Sequence, residues 1–244
     1  MYSRAISPNY VSSYWSGDAT GRPAECDPFR PSDHTGLLMH AMRVAGPSCR
    51  RGSGLEMGVG SGVLLATLGE LGVQRLVGVD IDPAALRATE RLLSGMRLMA
   101  RTTLLQGSLW EPVGAARFDI VVANLPHFAA TELSDPERSA CWSMGGADGR
   151  CLLDPFLAGL AGHLDDGGVA LITHNAFVGL DRTAAMLAEH GLGARIVLST
   201  TVLLHPRKSA LLRPEVRATY TGAGISRFGP YEFADVHILA IRRT

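Results

Sequence analysis

The sequence predicts an α/β fold built around a mostly parallel sheet. Three observations carry that reading. An apolar run ends at Leu55-Glu56-Met57-Gly58-Val59-Gly60-Ser61-Gly62 in three alternating glycines, after which a helical apolar pattern begins. A second run, Arg75 to Val79, ends in Asp80, and a third, Phe118 to Ala123, ends in Asn124-Leu125-Pro126-His127. In an open parallel sheet such strand ends share one edge, which is where ligands bind.

At 244 residues the chain suits one α/β domain with a modest extension, long enough to bury a core on both sides of a sheet. The expected division is an aromatic-rich arm over 1–30 and a main domain over 31–244. The 23 basic and 23 acidic residues cancel, so no global field favours a polyanion, and nucleic acid is not an expected partner. Cys26, Cys49, Cys141 and Cys151 lack C-x-x-C spacing, and no signal peptide or run of membrane-spanning length is present. A reduced, cytoplasmic protein with no membrane partner is expected, with no internal repeat and no low-complexity segment.

Residues 1–30 hold Tyr2, Tyr10, Tyr14, Trp15 and Phe29 among Ser, Gly, Pro and Asn, which favours irregular structure. The arm reads either as a lid or as a segment packed on the surface or at a homodimer contact. Pro31-Ser32-Asp33-His34-Thr35 then opens a helical pattern, with Ser32 or Asp33 as its cap. After the glycine turn come a helix of about 62–71, the strand at 75–80, and a helix begun by Asp82-Pro83. A strand of about 102–106 runs into Gly107-Ser108-Leu109-Trp110, where Trp110 reads equally as ring-flanking or core. Beyond strand 118–123 lie the turn Gly145-Gly146-Ala147-Asp148-Gly149, a helix of about 150–164, and a strand of 169–173 ending in His174-Asn175. Asp148 is assigned to turn and cap duty. A helix of about 178–190, a strand of 194–204 and a last strand of 236–241 close the pattern. The connection from Pro206 to Asp235 interleaves Arg207, Lys208, Arg213, Arg217 and Arg227 with Tyr220, Phe228 and Tyr231. It reads as a solvated loop over the cleft, or as a contact for RNA or an acidic ligand.

The glycines let the backbone turn sharply and approach a ligand, and a carboxylate at the end of the second strand can take both ribose hydroxyls of an adenosine. Glu56-x-Gly-x-Gly-x-Gly followed by Asp80 resembles the S-adenosylmethionine site of class I methyltransferases. Pro31-x-x-x-Thr35-x-Leu37-Leu38 and Asn124-Leu125-Pro126-His127 are similar to elements of the HemK/PrmC release-factor glutamine methyltransferases. The second element resembles the (Asn/Asp)-Pro-Pro-(Tyr/Phe) motif of methyltransferases that act on planar amide or amine nitrogens. The resemblance covers about residues 31–241. It implies a Rossmann-like seven-stranded sheet, five parallel strands plus a C-terminal antiparallel hairpin, with helices on both faces.

It also implies site roles. S-adenosylmethionine would contact Thr35, Glu56, Gly58, Gly60, Gly62, Asp80, Ser108, Leu109 and Asn124, with Thr35 by the methionine end and Ser108 standing where the family usually has an acid. Leu125, Pro126, His127, His174 and Asn175 would face the substrate, with Thr173 beside them. Asn124 and His127 would be catalytic: the Asn124 side-chain oxygen and the Leu125 carbonyl accept two N–H bonds and aim a nitrogen lone pair at the methyl carbon. His127, in place of the aromatic, can also accept a proton. No metal is implied.

The expected activity is methyl transfer to an amide or amine nitrogen of a small metabolite or peptide. A small substrate is favoured because the family grips its protein target with a preceding helical domain, where about 30 residues stand here. Two alternatives are a cyclase that closes S-adenosylmethionine to azetidine-2-carboxylate with release of methylthioadenosine, and a non-catalytic S-adenosylmethionine-binding protein.

Overall fold

The computed structural model describes residues 30–45, 52–130 and 145–244 of the chain. Most of the aromatic arm expected over 1–30, with Cys26, Cys49 and Cys141, lies outside the described residues. Seven α-helices among them are α1 (Asp33–Ala45), α2 (Val63–Glu70), α3 (Pro83–Gly95), α4 (Leu153–His163), α5 (Leu180–Glu189), α6 (Pro206–Leu211) and α7 (Pro214–Tyr220). The strands are β1 (Ser53–Met57), β2 (Arg75–Asp80), β3 (Thr102–Gln106), β4 (Phe118–Ala123), β5 (Leu164–Asn175), β6 (Leu192–Leu204), β7 (Ile225–Phe228) and β8 (Tyr231–Arg243).

They form one sheet in the order β3-β2-β1-β4-β5-β8-β6, with β7 also paired to β8. β1 to β5 are mutually parallel, and β8 runs antiparallel to β5, β6 and β7. The central strands are mostly apolar because both of their faces are covered. Ile120 and Val122 of β4 pack with Leu38, Met42, Leu65 and Leu68 under α1 and α2, while Val121 and Ala123 face Phe156, Leu157 and Leu160 of α4. Each large apolar side chain so buried contributes about 1.5–3 kcal/mol.

Two expectations need correction. The sheet has eight strands rather than seven, and the connection 206–235 is not an open loop. Pro206 and Pro214 each start a short helix, since proline's fixed φ suits the first turn. Phe228-Gly229-Pro230-Tyr231 then closes a hairpin, with Gly229 at φ 59°, so β8 begins at Tyr231 instead of Val236. β8 is antiparallel to β5, so this hairpin continues past the carboxyl edge at Asn175, which pairs with Val236.

The strand order turns back between β1 and β4. That junction is the topological switch point, where the carboxyl ends of neighbouring strands leave a crevice. The glycine turn follows β1 and Asn124 follows β4, so the fold brings both motifs to it.

Candidate active site

The turn after β1 is held by its own backbone. Gly58 donates its N–H to the Val79 carbonyl at 2.8 Å, and Gly62 donates to Val59 at 2.7 Å. Gly58, Gly60 and Gly62 all have positive φ, at 75°, 47° and 78°. A Cβ built on Gly60 would meet no protein atom within 4 Å, so the turn presents open space there rather than packed side chains. This is the kind of cradle an adenosyl ligand requires.

Two carboxylates support the cradle. Glu56, at the buried end of β1, accepts the Leu65 N–H at 2.7 Å and so satisfies one free amide in the first turn of α2. Burial pushes its carboxyl well above the ordinary glutamate range, the Leu65 bond opposing that shift and the nearby Asp80 charge adding to it. Asp80 accepts from Gly60 N–H at 3.0 Å and from Asp82 N–H at 2.9 Å. Its carboxyl is also raised by burial, with these backbone bonds pulling the other way. Each carboxylate oxygen keeps a further lone pair, so hydroxyls can still be accepted at Asp80.

Across the crevice, Asn124 sits between two hydroxyls. Thr173 donates to its Oδ1 at 2.8 Å, and its Nδ2 donates to Thr35 Oγ1 at 3.2 Å. Thr35 is buried in the first turn of α1, where it exchanges hydrogen bonds with Ser32, the residue that caps the helix. Thus α1, β4 and β5 all position this one amide.

His127 is 5% exposed, and its Nδ1 lies 2.5 Å from the Leu125 carbonyl oxygen. A carbonyl only accepts, so Nδ1 carries the hydrogen and Nε2 carries a lone pair. That Nε2 is buried without a hydrogen-bond partner among the described residues. Burial first, then the neighbouring His34 and Lys208 charges, lower its pKa to about 4, with the Leu125 bond opposing. The His34 ring stands edge-on at 6.0 Å between centroids, and its Nε2 is 3.0 Å from Asn175 Oδ1. Nothing in the sequence signalled His34, because its partner is 141 positions away.

His174 does not share the cleft with Thr173 and Asn175. Alternation along β5 sends it to the opposite face, where it is fully buried with Nε2 2.9 Å from Thr183 Oγ1 of α5. Arg150, 2% exposed, donates to the same Thr183 oxygen at 2.9 Å and to Asp154 at 2.7 Å. His174 is therefore part of a structural network instead of a substrate contact.

Trp110 is core: it stacks on Phe156 and His163 and donates its indole N–H to the Phe156 carbonyl at 3.0 Å. Beyond the end of β3, Ser108 is exposed and Leu109 half-buried against the core. Leu109 holds φ 47°, a conformation that costs about 1–3 kcal/mol for such a residue. Asp148 accepts the Arg150 N–H at 3.1 Å and pairs with Arg182, in keeping with turn duty.

Residues 48–135 match the model of the ribosomal protein L11 methyltransferase (PrmA) family. A provisionally named protein N5-glutamine methyltransferase of Methanocaldococcus jannaschii is 29% identical over 143 residues, covering 58% of this chain and 71% of that one. A release factor glutamine methyltransferase of Geobacter sulfurreducens is 34% identical over 127 residues, 48% of this chain and 43% of that one. The match thus spans less than half the length of the release factor enzyme. Among solved structures, the E. cuniculi Mtq2-Trm112 complex responsible for methylation of the eRF1 translation termination factor aligns with TM-score 0.58 and 19% identity, over 89% of this chain and 99% of that one.

The chain has the class I methyltransferase fold, and its sequence is similar to methyltransferases, a class whose cofactor is S-adenosylmethionine. More particularly, it resembles the protein glutamine methyltransferases, with the PrmA match lying beside them. No helix among the described residues is long and apolar enough to cross a membrane.

Proposed function

We propose that the protein transfers a methyl group from S-adenosylmethionine to the side-chain amide nitrogen of a glutamine in a protein. The observation that carries this is the acceptor pair at the end of β4, the Asn124 side chain fixed by Thr173 and Thr35 and the adjoining Leu125 carbonyl, beside the glycine cradle across the switch point. The small-metabolite expectation gives way to a protein substrate because the similar sequences are named for protein glutamines, with translation proteins the first to test. They lend no support to ring closure or to a non-catalytic role.

Asp80 would take the ribose hydroxyls, the turn at Gly58, Gly60 and Gly62 with Glu56 would seat the adenosyl group, Ser108 and Leu109 would border the adenine, and Thr35 would lie at the methionine end. Bound there, S-adenosylmethionine supplies an electrophilic methyl carbon on a good leaving group. An amide nitrogen is a poor nucleophile because its lone pair is delocalised into the carbonyl. Asn124 Oδ1 keeps a lone pair besides the one Thr173 uses, and so does the Leu125 oxygen besides the one His127 uses. Two N–H bonds to these acceptors orient the nitrogen, and such positioning supplies up to about 7–11 kcal/mol of a barrier.

Glutamine-containing peptides incubated with the protein and S-adenosylmethionine test the reading by mass spectrometry. The expected product gains one CH2 on the glutamine side chain, and Asn124→Ala should slow it at least about tenfold. Methylthioadenosine released without any peptide would overturn methyl transfer.

A further inference from the structure

We propose that His127 is the proton acceptor of the reaction, its Nε2 removing the amide hydrogen as the nitrogen takes the methyl group, and that it thereby restricts the substrate to neutral amides. This rests on the amide reading above and assigns the step that reading leaves open, namely where the proton goes.

The geometry fixes which nitrogen can act. The 2.5 Å contact with the Leu125 carbonyl places the hydrogen on Nδ1 and turns the Nε2 lone pair away from the backbone. Leaving that lone pair buried and unpartnered is costly, a cost recovered when an N–H meets it directly or through one water. The contact also ties the base to the Leu125 oxygen, one of the two proposed substrate acceptors, so base and substrate nitrogen are held by the same residue. The aromatic ring of the family motif could stack there but could not take a proton.

The step balances as follows. The nitrogen lone pair forms the new bond to the methyl carbon, whose bond to sulfur breaks with its electron pair remaining on sulfur. The nitrogen's N–H bond breaks, its electrons stay on nitrogen, and its proton goes to His127 Nε2. The products are a neutral N-methyl amide, a neutral thioether and an imidazolium, which then loses its proton to water.

Base strength decides the substrate class. The charged and titratable groups around the ring are His34, His174 and Lys208, with Asp33 beside Lys208, and burial first, then His34 and Lys208, hold His127 at a pKa of about 4. An amide nitrogen that has gained a methyl group is strongly acidic, so a weak base suffices, and one that is neutral at physiological pH is always ready. A lysine ammonium is the opposite case. It titrates near 10.4, far above this imidazole, which is too weak a base to deprotonate it.

The experiment compares wild type, His127→Gln and His127→Ala on a glutamine peptide and on its lysine counterpart. Gln preserves a donor to Leu125 without a basic nitrogen. Expected is a fall in kcat of about 10²- to 10⁴-fold for His127→Gln with KM nearly unchanged, partial recovery of His127→Ala by added imidazole in proportion to its free-base fraction, and no methylated lysine peptide with wild type. His127→Gln turning over like wild type, no imidazole response, or methylation of the lysine peptide overturns the proposal while leaving the amide reading intact. A wild type that makes no N-methylglutamine overturns both.

Discussion

Replacing Asp80 with Asn isolates the contact proposed to hold the ribose of the cofactor. The carboxylate now accepts two backbone N–H bonds, from Gly60 at 3.0 Å and Asp82 at 2.9 Å. An amide of the same shape keeps one accepting oxygen and turns an NH2 toward the other donor, so one backbone bond is lost. Against that loss, burial already raises the Asp80 carboxyl above its ordinary value of 3.8, and a neutral group is relieved of that desolvation. The two effects oppose each other, so the fold should melt close to wild type. Ligand affinity has no such compensation. Hydrogen bonds to a charged acceptor are worth about 1.5–3 kcal/mol each, and with one neutral oxygen remaining the net loss should be about 2–4 kcal/mol, a weakening of roughly 30- to 700-fold. Calorimetric titration with S-adenosylhomocysteine near neutral pH measures this. An analogue lacking both ribose hydroxyls completes a double-mutant cycle, in which the substitution should then cost little. Wild-type affinity for S-adenosylhomocysteine, or an equal loss for both ligands, would refute the assignment of Asp80 to the ribose.

Glu56 and Arg150 give two further predictions. Because the folded Glu56 carboxyl titrates well above its ordinary 4.5, the native state binds more protons than the unfolded one between those values, so this residue's contribution to stability declines as pH rises through that window. Glu56→Gln should melt progressively higher than wild type as thermal unfolding is measured from mildly acidic toward neutral pH; a constant offset would contradict a raised carboxyl. Arg150→Met should lower unfolding free energy in urea by about 1–3 kcal/mol, since it strands the buried Val178 carbonyl and takes one partner each from Thr183, which keeps His174, and from Asp154, which keeps Arg182. An unchanged urea midpoint would show that network to be incidental.

The central strands were legible because their apolar runs have sharp ends. β2, β3 and β4 begin and end where their sequence places them, and the glycine turn, Asp80 and Asn124 follow from those ends. Legibility failed where partners are remote or facing matters. Trp110 is drawn into the core by Gly159 of α4, where any Cβ would lie 2.2 Å from the indole, and no local pattern announces that pairing. Adjacency in sequence groups His174 with Thr173 and Asn175, although adjacent strand residues point oppositely. Likewise, the helices at Pro206 and Pro214 are too short for periodicity to reveal.

The end of β5 does two jobs on its two surfaces: Thr173 and Asn175 steady the reactive rim, while His174 between them is bolted through Thr183 and Arg150 to the scaffold behind. Slipping this strand by a single position would swap anchor for instrument at every site at once. Its pairing is therefore an all-or-nothing specification, with no partly competent misaligned form for the molecule to occupy.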